Sequence, residues 1–535
     1  MTDSFASTHT LKAQDSAYAA VEMLNPESTS LVEYTSRGHV VIIGDAESIE
    51  ILGDLPKNLT TATVQFEGES PDSSVKVTGA LGQFVIEVAG QELKADIVLD
   101  LTPESILKME VKPPGYFVAD LRDNPAEGEG EAGRNLEPVL HDLKEEMGHL
   151  VGTFEKPRFF DYDESICAHG RSGKSGCTRC IDACPTEAIT SLVNLIKVDP
   201  YLCQGGGICA TVCPSGAITY TYPKPKDLLA HVRTLVVTYL KTLKEEAGEQ
   251  SVAAPKIVFV TEDEYERAQQ MLPGALIIMV EEVASVGPEV WLSALAWGAS
   301  QVQLFDLDSM PRQAYEALEL HLEMVQEILM GMNYPASAVS IVSEMNDLLA
   351  STGMPRVKAA THAPVGQKRQ AFFMALDHLV DQAEEVQPFV TLPKGSIFGE
   401  VIVDDNACTL CMACVSGCPG NALQAGNETP MLSFVESSCV QCDVCTVTCP
   451  EGAITTAPRL VMSYEERRKP RLLNEESPFC CITCGRPYAT KSGITSILTK
   501  LTGHSMFADE RSMDRLKMCD DCRVKDMMED PNTDF

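Results

Sequence analysis

Residues 408–419 read Cys408-Thr409-Leu410-Cys411-Met412-Ala413-Cys414-Val415-Ser416-Gly417-Cys418-Pro419, and residues 439–450 read Cys439-Val440-Gln441-Cys442-Asp443-Val444-Cys445-Thr446-Val447-Thr448-Cys449-Pro450. Both obey C-x2-C-x2-C-x3-C-P. Three thiolates at such short, equal intervals converge only if the chain wraps tightly around a polynuclear metal centre. The fourth cysteine, placed before proline, is presented to the neighbouring centre instead. The two runs must therefore fold as one unit holding two [4Fe-4S] clusters, one on Cys408, Cys411, Cys414 and Cys449 and the other on Cys418, Cys439, Cys442 and Cys445. Disulfides do not require this regularity, and a zinc ion is satisfied by four cysteines rather than by two interlocked sets.

Used as a ruler, this run exposes a four-copy repeat. Each copy closes with Cys-Pro, two residues, Ala and an aliphatic: Cys184 to Ile189, Cys213 to Ile218, Cys418 to Leu423 and Cys449 to Ile454. The small and aliphatic pair is expected to seat a short helix against the cluster. Asp163, Asp199 and Asp404 each stand four residues before the first cysteine of their copies, Cys167, Cys203 and Cys408. By this alignment His169 to Gly176 is an insertion inside a ligand loop, and one [4Fe-4S] cluster takes Cys167, Cys177, Cys180 and Cys213. Its neighbour takes Cys184, Cys203 and Cys209, with Gly206 at the position where the ruler demands cysteine. That site holds either a [3Fe-4S] cluster or a [4Fe-4S] cluster with one iron bound by water, a small thiol or a side chain from elsewhere.

The insertion Ala168-His169-Gly170-Arg171-Ser172-Gly173-Lys174-Ser175 nearly spells a P-loop, but it lacks the first glycine and the strand-to-helix setting, so phosphate binding is not expected. Arg171 and Lys174 would instead set positive charge near a cluster, and His169 is expected to be a surface imidazole. Cys481-Ile482-Thr483-Cys484-Gly485 and Cys519-Asp520-Asp521-Cys522 form two C-x2-C knuckles 34 residues apart. Zinc on Cys481, Cys484, Cys519 and Cys522 is the expected occupant, with iron in the same cage or a fifth cluster using Cys480 as the alternatives.

Around these modules the chain of 535 residues reads as α/β and α+β multidomain. The expected parts are a polar tail (1–30), a small α/β domain (31–155), a first ferredoxin-like dicluster module (156–225), a doubly wound α/β domain (226–390), a second dicluster module (391–460), and a linker with a four-cysteine metal-knuckle segment (461–535). Strands are expected at Val40–Ile43, Thr63–Phe66, Phe84–Val88, Ile97–Leu101 and Tyr116–Ala119, then at Ile257–Val260, Ala275–Val280, Val302–Phe305 and Ala338–Val342. The helices expected are Leu228–Leu243, Asp263–Met271, Pro288–Trp297 and Pro311–Met330, the last with Ser309 as N-cap. Pro125–Arg134 reads as an acidic loop, and Tyr464–Glu476 as a basic, solvated connection. Gly38–Asp45 begins like a nucleotide-binding strand without the G-x-G-x-x-G turn, so no nucleotide site is expected there.

The net charge of −35 repels nucleic acid and anionic membranes. No apolar run reaches the ~18 residues of a membrane helix, and the polar N-terminus is neither a secretory nor a twin-arginine leader. A cytoplasmic setting, where thiols stay reduced, is the expectation. Oligomeric state is not legible.

The cysteine runs resemble bacterial 4Fe-4S dicluster ferredoxin-type proteins. The whole organisation is similar to that of the large cytoplasmic iron–sulfur proteins associated with formate dehydrogenases. Ile278 to Phe305, with Gly287-Pro288-Glu289 and Ala296-Trp297-Gly298-Ala299, resembles the small α/β domain of hydrogenase delta subunits. No cysteine lies between Cys213 and Cys408, so no metal of that domain is carried over. These resemblances imply a multicluster protein or oxidoreductase subunit that passes single electrons between a low-potential carrier and a catalytic partner of formate-dehydrogenase or hydrogenase type. A reductase using the incompletely ligated cluster near Gly206, and an iron–sulfur scaffold or maturation factor, are the alternatives.

Overall fold

The computed structural model describes residues 8–66, 75–119, 121, 137–171, 173–248, 254–272, 274–306, 310–343, 352–427 and 429–530. The acidic loop read at Pro125–Arg134 and the proposed cap Ser309 lie outside them. Among the described residues no helix is long and apolar enough to cross a membrane.

The chain folds as a mixed α/β multidomain protein. Near the N-terminus, His39–Gly44 is the most apolar strand, and it lies between Thr60–Gln65 and Ile97–Asp100 in a parallel sheet completed by Tyr116–Val118. An inner strand of a parallel sheet is covered on both faces, which is why the run is almost continuously apolar. Asp45, just past its end, is consumed as an N-cap whose carboxylate accepts from the Ser48 N–H at 2.8 Å. Leu31–Ser36 pairs antiparallel with Gly152–Pro157, closing a loop of more than a hundred residues.

The stretch read as a polar tail contains a helix, Thr8–Glu22, packed along the helix Pro225–Ala247. Its buried positions are the small residues Ala13 and Ala17, which leave too faint an apolar stripe to notice in sequence.

The middle sheet is parallel in the order Leu276–Met279, Lys256–Val260, Gln301–Phe305, Val339–Val342. Alternate side chains of these strands enter two cores. Ile257, Phe259, Val302 and Leu304 meet the larger helices on one face, and Val258, Val260 and Phe305 meet Ala268 and Leu272 on the other, as a doubly wound sheet requires. Pro311 stands at the N-cap rather than inside the first turn, and the helix runs Arg312–Gly331.

Both cysteine-rich regions have one topology. A first strand pairs with a last one, Phe160–Tyr162 with Ile218–Tyr220 and Gly399–Val403 with Ile454–Val461. An inner hairpin pairs Ile189–Ser191 with Ile196–Val198 and Leu423–Ala425 with Met431–Phe434. The aliphatic residue after each Cys-Pro-x2-Ala thus opens a strand, not a helix. Strand geometry suits it, because one residue enters the core while the next returns to solvent. The first of these modules shares a continuous core with the middle domain, where Ile208 and Val212 meet Val283, Ala284 and Trp291.

The basic connection is not merely solvated. Arg467 is 1% exposed; its guanidinium pairs with Asp377 and donates to the carbonyls of Val461 and Met462 at 2.9 and 2.7 Å. Arg471–Glu475 then adds a third strand to Leu423–Ala425 and Met431–Phe434. The cationic run is a strap that ties the second module to the helix Lys368–Gln382.

Candidate iron–sulfur and metal centres

The backbone of the ligand loops is left-handed at alternate positions. In the second module these are Leu410 (φ 51°) and Met412 (φ 60°) around Cys411, and Gln441 (φ 49°) and Asp443 (φ 59°) around Cys442. Non-glycine residues enter this region at a cost of about 1 kcal/mol each, so the loop is held in a strained form that aims its cysteines inward. The first module repeats the pattern with Gly205 (φ 85°) and Gly207 (φ 70°) around Gly206. Gly206 therefore occupies the loop position of Cys411 and Cys442.

The side chains gather in four sets. Cys167, Cys177, Cys180 and Cys213 line one small cavity with Tyr162 and Ile196. Cys418, Cys439, Cys442 and Cys445 line a second. Cys408, Cys411 and Cys449 surround Cys414, whose thiol is pushed up to about 12 by burial and then by those three neighbours. Cys184, Cys203 and Cys209 line a cavity with Gly205–Gly207, and this one is roomier, about 90 Å³ against about 20 Å³ for the first two. Burial raises the thiols of Cys177, Cys180, Cys203 and Cys209 as well. Buried thiols crowded this way become thiolates only against a compensating cation, and this donor set fits iron–sulfur clusters.

Amide and cationic donors point at the sulfurs. At the alanine position of the repeat, Ala422 and Ala453 donate their backbone N–H groups to Cys418 Sγ at 3.3 Å and Cys449 Sγ at 3.4 Å. Gln441 Nε2 reaches Cys439 Sγ at 3.4 Å and Arg179 Nη1 reaches Cys177 Sγ at 3.6 Å. Such donors disperse the charge of a reduced cluster and raise its potential.

One residue of the insertion, His169, is placed differently from expectation. His169 is only 2% exposed, its Nδ1 at 2.8 Å from the Cys177 carbonyl and its Nε2 at 2.7 Å from Ser191 Oγ, so it braces the ligand loop from behind. Lys174 is exposed on a two-residue hairpin, Gly170–Arg171 with Lys174–Ser175, and the Arg171 side chain lies outside the described residues. The cation at the sulfur is Arg179, which the spacing argument passed over because it is simply the middle of a C-x2-C.

Arg179 also joins the two modules. Its guanidinium donates to the carbonyls of Gln441 (3.0 Å), Ser396 (3.3 Å) and Gly395 (3.3 Å). Beside it, Gly176 is packed so tightly that a Cβ there would lie 2.7 Å from the Cys442 carbonyl and 2.3 Å from Val444 Cγ2. Arg369 makes a second stitch, from Pro214 O (3.2 Å) to Ser437 O (2.8 Å) and Cys439 O (3.0 Å). Modules almost two hundred residues apart in sequence thus meet through their ligand loops.

The C-terminal cysteines are arranged otherwise. The sulfurs of Cys481, Cys484, Cys519 and Cys522 all lie within 4.8 Å of one another, and those of Cys484 and Cys519 are 3.7 Å apart. A single tetrahedral ion with bonds of ~2.3 Å needs sulfurs ~3.8 Å apart, so this cage is sized for one ion rather than a cluster. Burial works against the Cys481 thiolate, but amides of Cys484, Cys519 and Thr483 outweigh it and bring the thiol down to about 6. Gly485 (φ 74°) makes the knuckle turn, and the exposed Cys480 is not in the set. Thr490 Oγ1 donates to Thr409 O at 2.9 Å, which seats this segment on the Cys408–Cys411 loop.

Two protein-family profiles match the chain: a 4Fe-4S dicluster domain over residues 407–454 and a 4Fe-4S binding domain over residues 196–219. No curated protein matches it. The chain therefore carries two ferredoxin-type iron–sulfur domains, whose general role is electron transfer.

Proposed function

We propose that the chain is a relay for single electrons, with centres in the order Cys184/Cys203/Cys209, Cys167/Cys177/Cys180/Cys213, Cys418/Cys439/Cys442/Cys445 and Cys408/Cys411/Cys414/Cys449. When bound, the clusters, three [4Fe-4S] and one [3Fe-4S] or incompletely ligated [4Fe-4S], supply the one-electron centres. The observation that carries this reading is the contact of Gly176 and Arg179 with the Cys442 loop, which makes one series of two separate pairs. Arg179 holds that junction and places positive charge at Cys177, while the exposed Cys411 marks the end at which a protein partner docks. That partner is a redox protein of formate-dehydrogenase or hydrogenase type, and the setting is cytoplasmic. The four-cysteine cage takes zinc and props the Cys411 end. A reductase acting at the Gly206 end is the second reading, favoured by the roomier cavity there.

Anaerobic analysis should give about 15 or 16 irons and one zinc per chain, with several reversible low-potential paramagnetic signals. About eight irons or fewer in fully loaded protein would sink the four-centre reading. A substrate that perturbs only the Gly206-end signal would favour the reductase. The junction has its own test in Gly176→Ala, where the added methyl meets a backbone carbonyl that cannot turn aside. It should cost about 1–3 kcal/mol and weaken magnetic coupling between the modules while leaving iron content near wild type. Unchanged coupling and stability would refute the direct junction.

A further inference from the structure

We infer that the carboxylate of Glu282 is the non-cysteine ligand that closes the Cys184/Cys203/Cys209 site. This rests on the reading that a cluster assembles on those three cysteines. Gly206 stands where a cysteine stands in the other copies, yet nothing in the fold calls for glycine there. Its φ lies outside the left-handed region, and a Cβ on it would meet nothing within 4 Å. Its neighbours are constrained: a Cβ on Gly205 would meet the Phe159 ring at 2.9 Å, and one on Gly207 would fall 2.4 Å from Ser285 Cβ. The space kept open at Gly206 is thus available to a side chain that arrives from across the cavity.

Glu282 belongs to the wall of that cavity. It begins the turn Val283–Ser285, whose Ser285 is the residue lying on Gly207, and Ser285 donates to Glu282 O through its N–H at 3.1 Å and its hydroxyl at 2.7 Å. Thr211 Oγ1, two residues beyond Cys209, donates to Ala284 O at 2.7 Å, so the turn is tied to the ligand loop. Glu282 is the one carboxylate among the described residues that line the cavity, in walls otherwise built of Val111, Phe160, Ile189 and Met310. The other polar side chains there are engaged: Gln204 Nε2 donates to Lys112 O at 2.6 Å, and Thr186 Oγ1 sits 3.3 Å from Cys184 Sγ. No hydrogen-bond donor or basic side chain among the described residues is paired with the half-buried Glu282 carboxylate. A carboxylate left among apolar walls gains most from a cation, and an iron corner lacking its thiolate accepts an oxygen ligand. Being harder and weaker than thiolate, it makes the fourth iron exchangeable.

The test compares wild type with Glu282→Ala, Glu282→Gln, Gly206→Cys and Gly206→Cys/Glu282→Ala, each reduced anaerobically with ferrous iron and desalted before iron, sulfide and paramagnetic resonance are measured. Wild type should hold about 16 irons. The two single Glu282 variants should each lose one iron per chain and show a three-iron signal on oxidation, and Gly206→Cys should restore the lost iron in the Glu282→Ala background. Glu282 variants that match wild type in iron and in signal would overturn the assignment and leave the corner to solvent or a small thiol. Wild type and Gly206→Cys both holding about 12 irons would overturn the underlying cluster instead, a different result from the first.

Discussion

Replacing Cys442 by alanine should remove about four irons per chain and cut the relay at its middle. Cys442 lines one cavity with Cys418, Cys439 and Cys445, and burial, followed by the nearby thiols of Cys439 and Cys418, pushes its own thiol up to about 12. Three ligands without an open, braced corner do not reproduce the Gly206 arrangement, because among the described residues no carboxylate lines this cavity except Asp443, whose Oδ1 accepts from Thr456 Oγ1 at 2.7 Å. Gln441 and Asp443 would keep their left-handed backbone with no metal to hold it, at about 1 kcal/mol each, so the loop should also relax away from Gly176. Iron and sulfide analysis should show the loss. Rapid-freeze resonance should show that reductant reaching the exposed Cys411 end no longer reduces the centres of the first module. Full reduction of the first module at wild-type rate would contradict the series order.

Arg467→Met should be the most damaging change outside the cysteines, at about 3–5 kcal/mol before allowance for the partial exposure of its partner, and about 2–4 kcal/mol after it. The guanidinium is buried, stacks 4.9 Å over the Phe373 ring, and satisfies two carbonyls besides Asp377. Burial already holds the Asp377 carboxyl above its ordinary range even with Arg467 beside it, and removing the arginine should push it further up. Methionine fills the space but leaves the carboxyl and both carbonyls without a donor. Chemical denaturation should report the loss, and limited proteolysis should cut the strap near Arg471. The double variant Arg467→Met/Asp377→Leu should recover a large part of the loss, since it removes the stranded acid. If the double variant is as unstable as the single one, the pair is not what ties strap to helix.

The legible and illegible parts of this protein divide by range. Cys-Pro-x2-Ala is a local pattern, and in the second module the N–H four residues along the chain reaches the same sulfur. The parallel strand Ile257–Val260 announced itself by a continuous apolar run, and Val302–Phe305 by a largely apolar one, between helical periods, for a similarly local reason. The helix Thr8–Glu22 did not, since alanines bury little. His169 and Arg467 were read as surface residues because their types are mostly exposed, and only their partners Ser191 and Asp377, brought close by the fold, explain their burial.

By itself the sequence determined that cysteines gather as four interlocked sets with one corner different, because cluster ligation is dictated by spacing along a few residues. Only the tertiary structure decided that the two modules touch through Gly176 and the Cys442 loop, that Arg179 serves a sulfur and a foreign carbonyl at once, and that Glu282 lines the same cavity as Gly206. Those contacts join residues between about seventy-five and two hundred and seventy positions apart. Their geometry follows from how whole sheets and helices pack, and no local spacing encodes it.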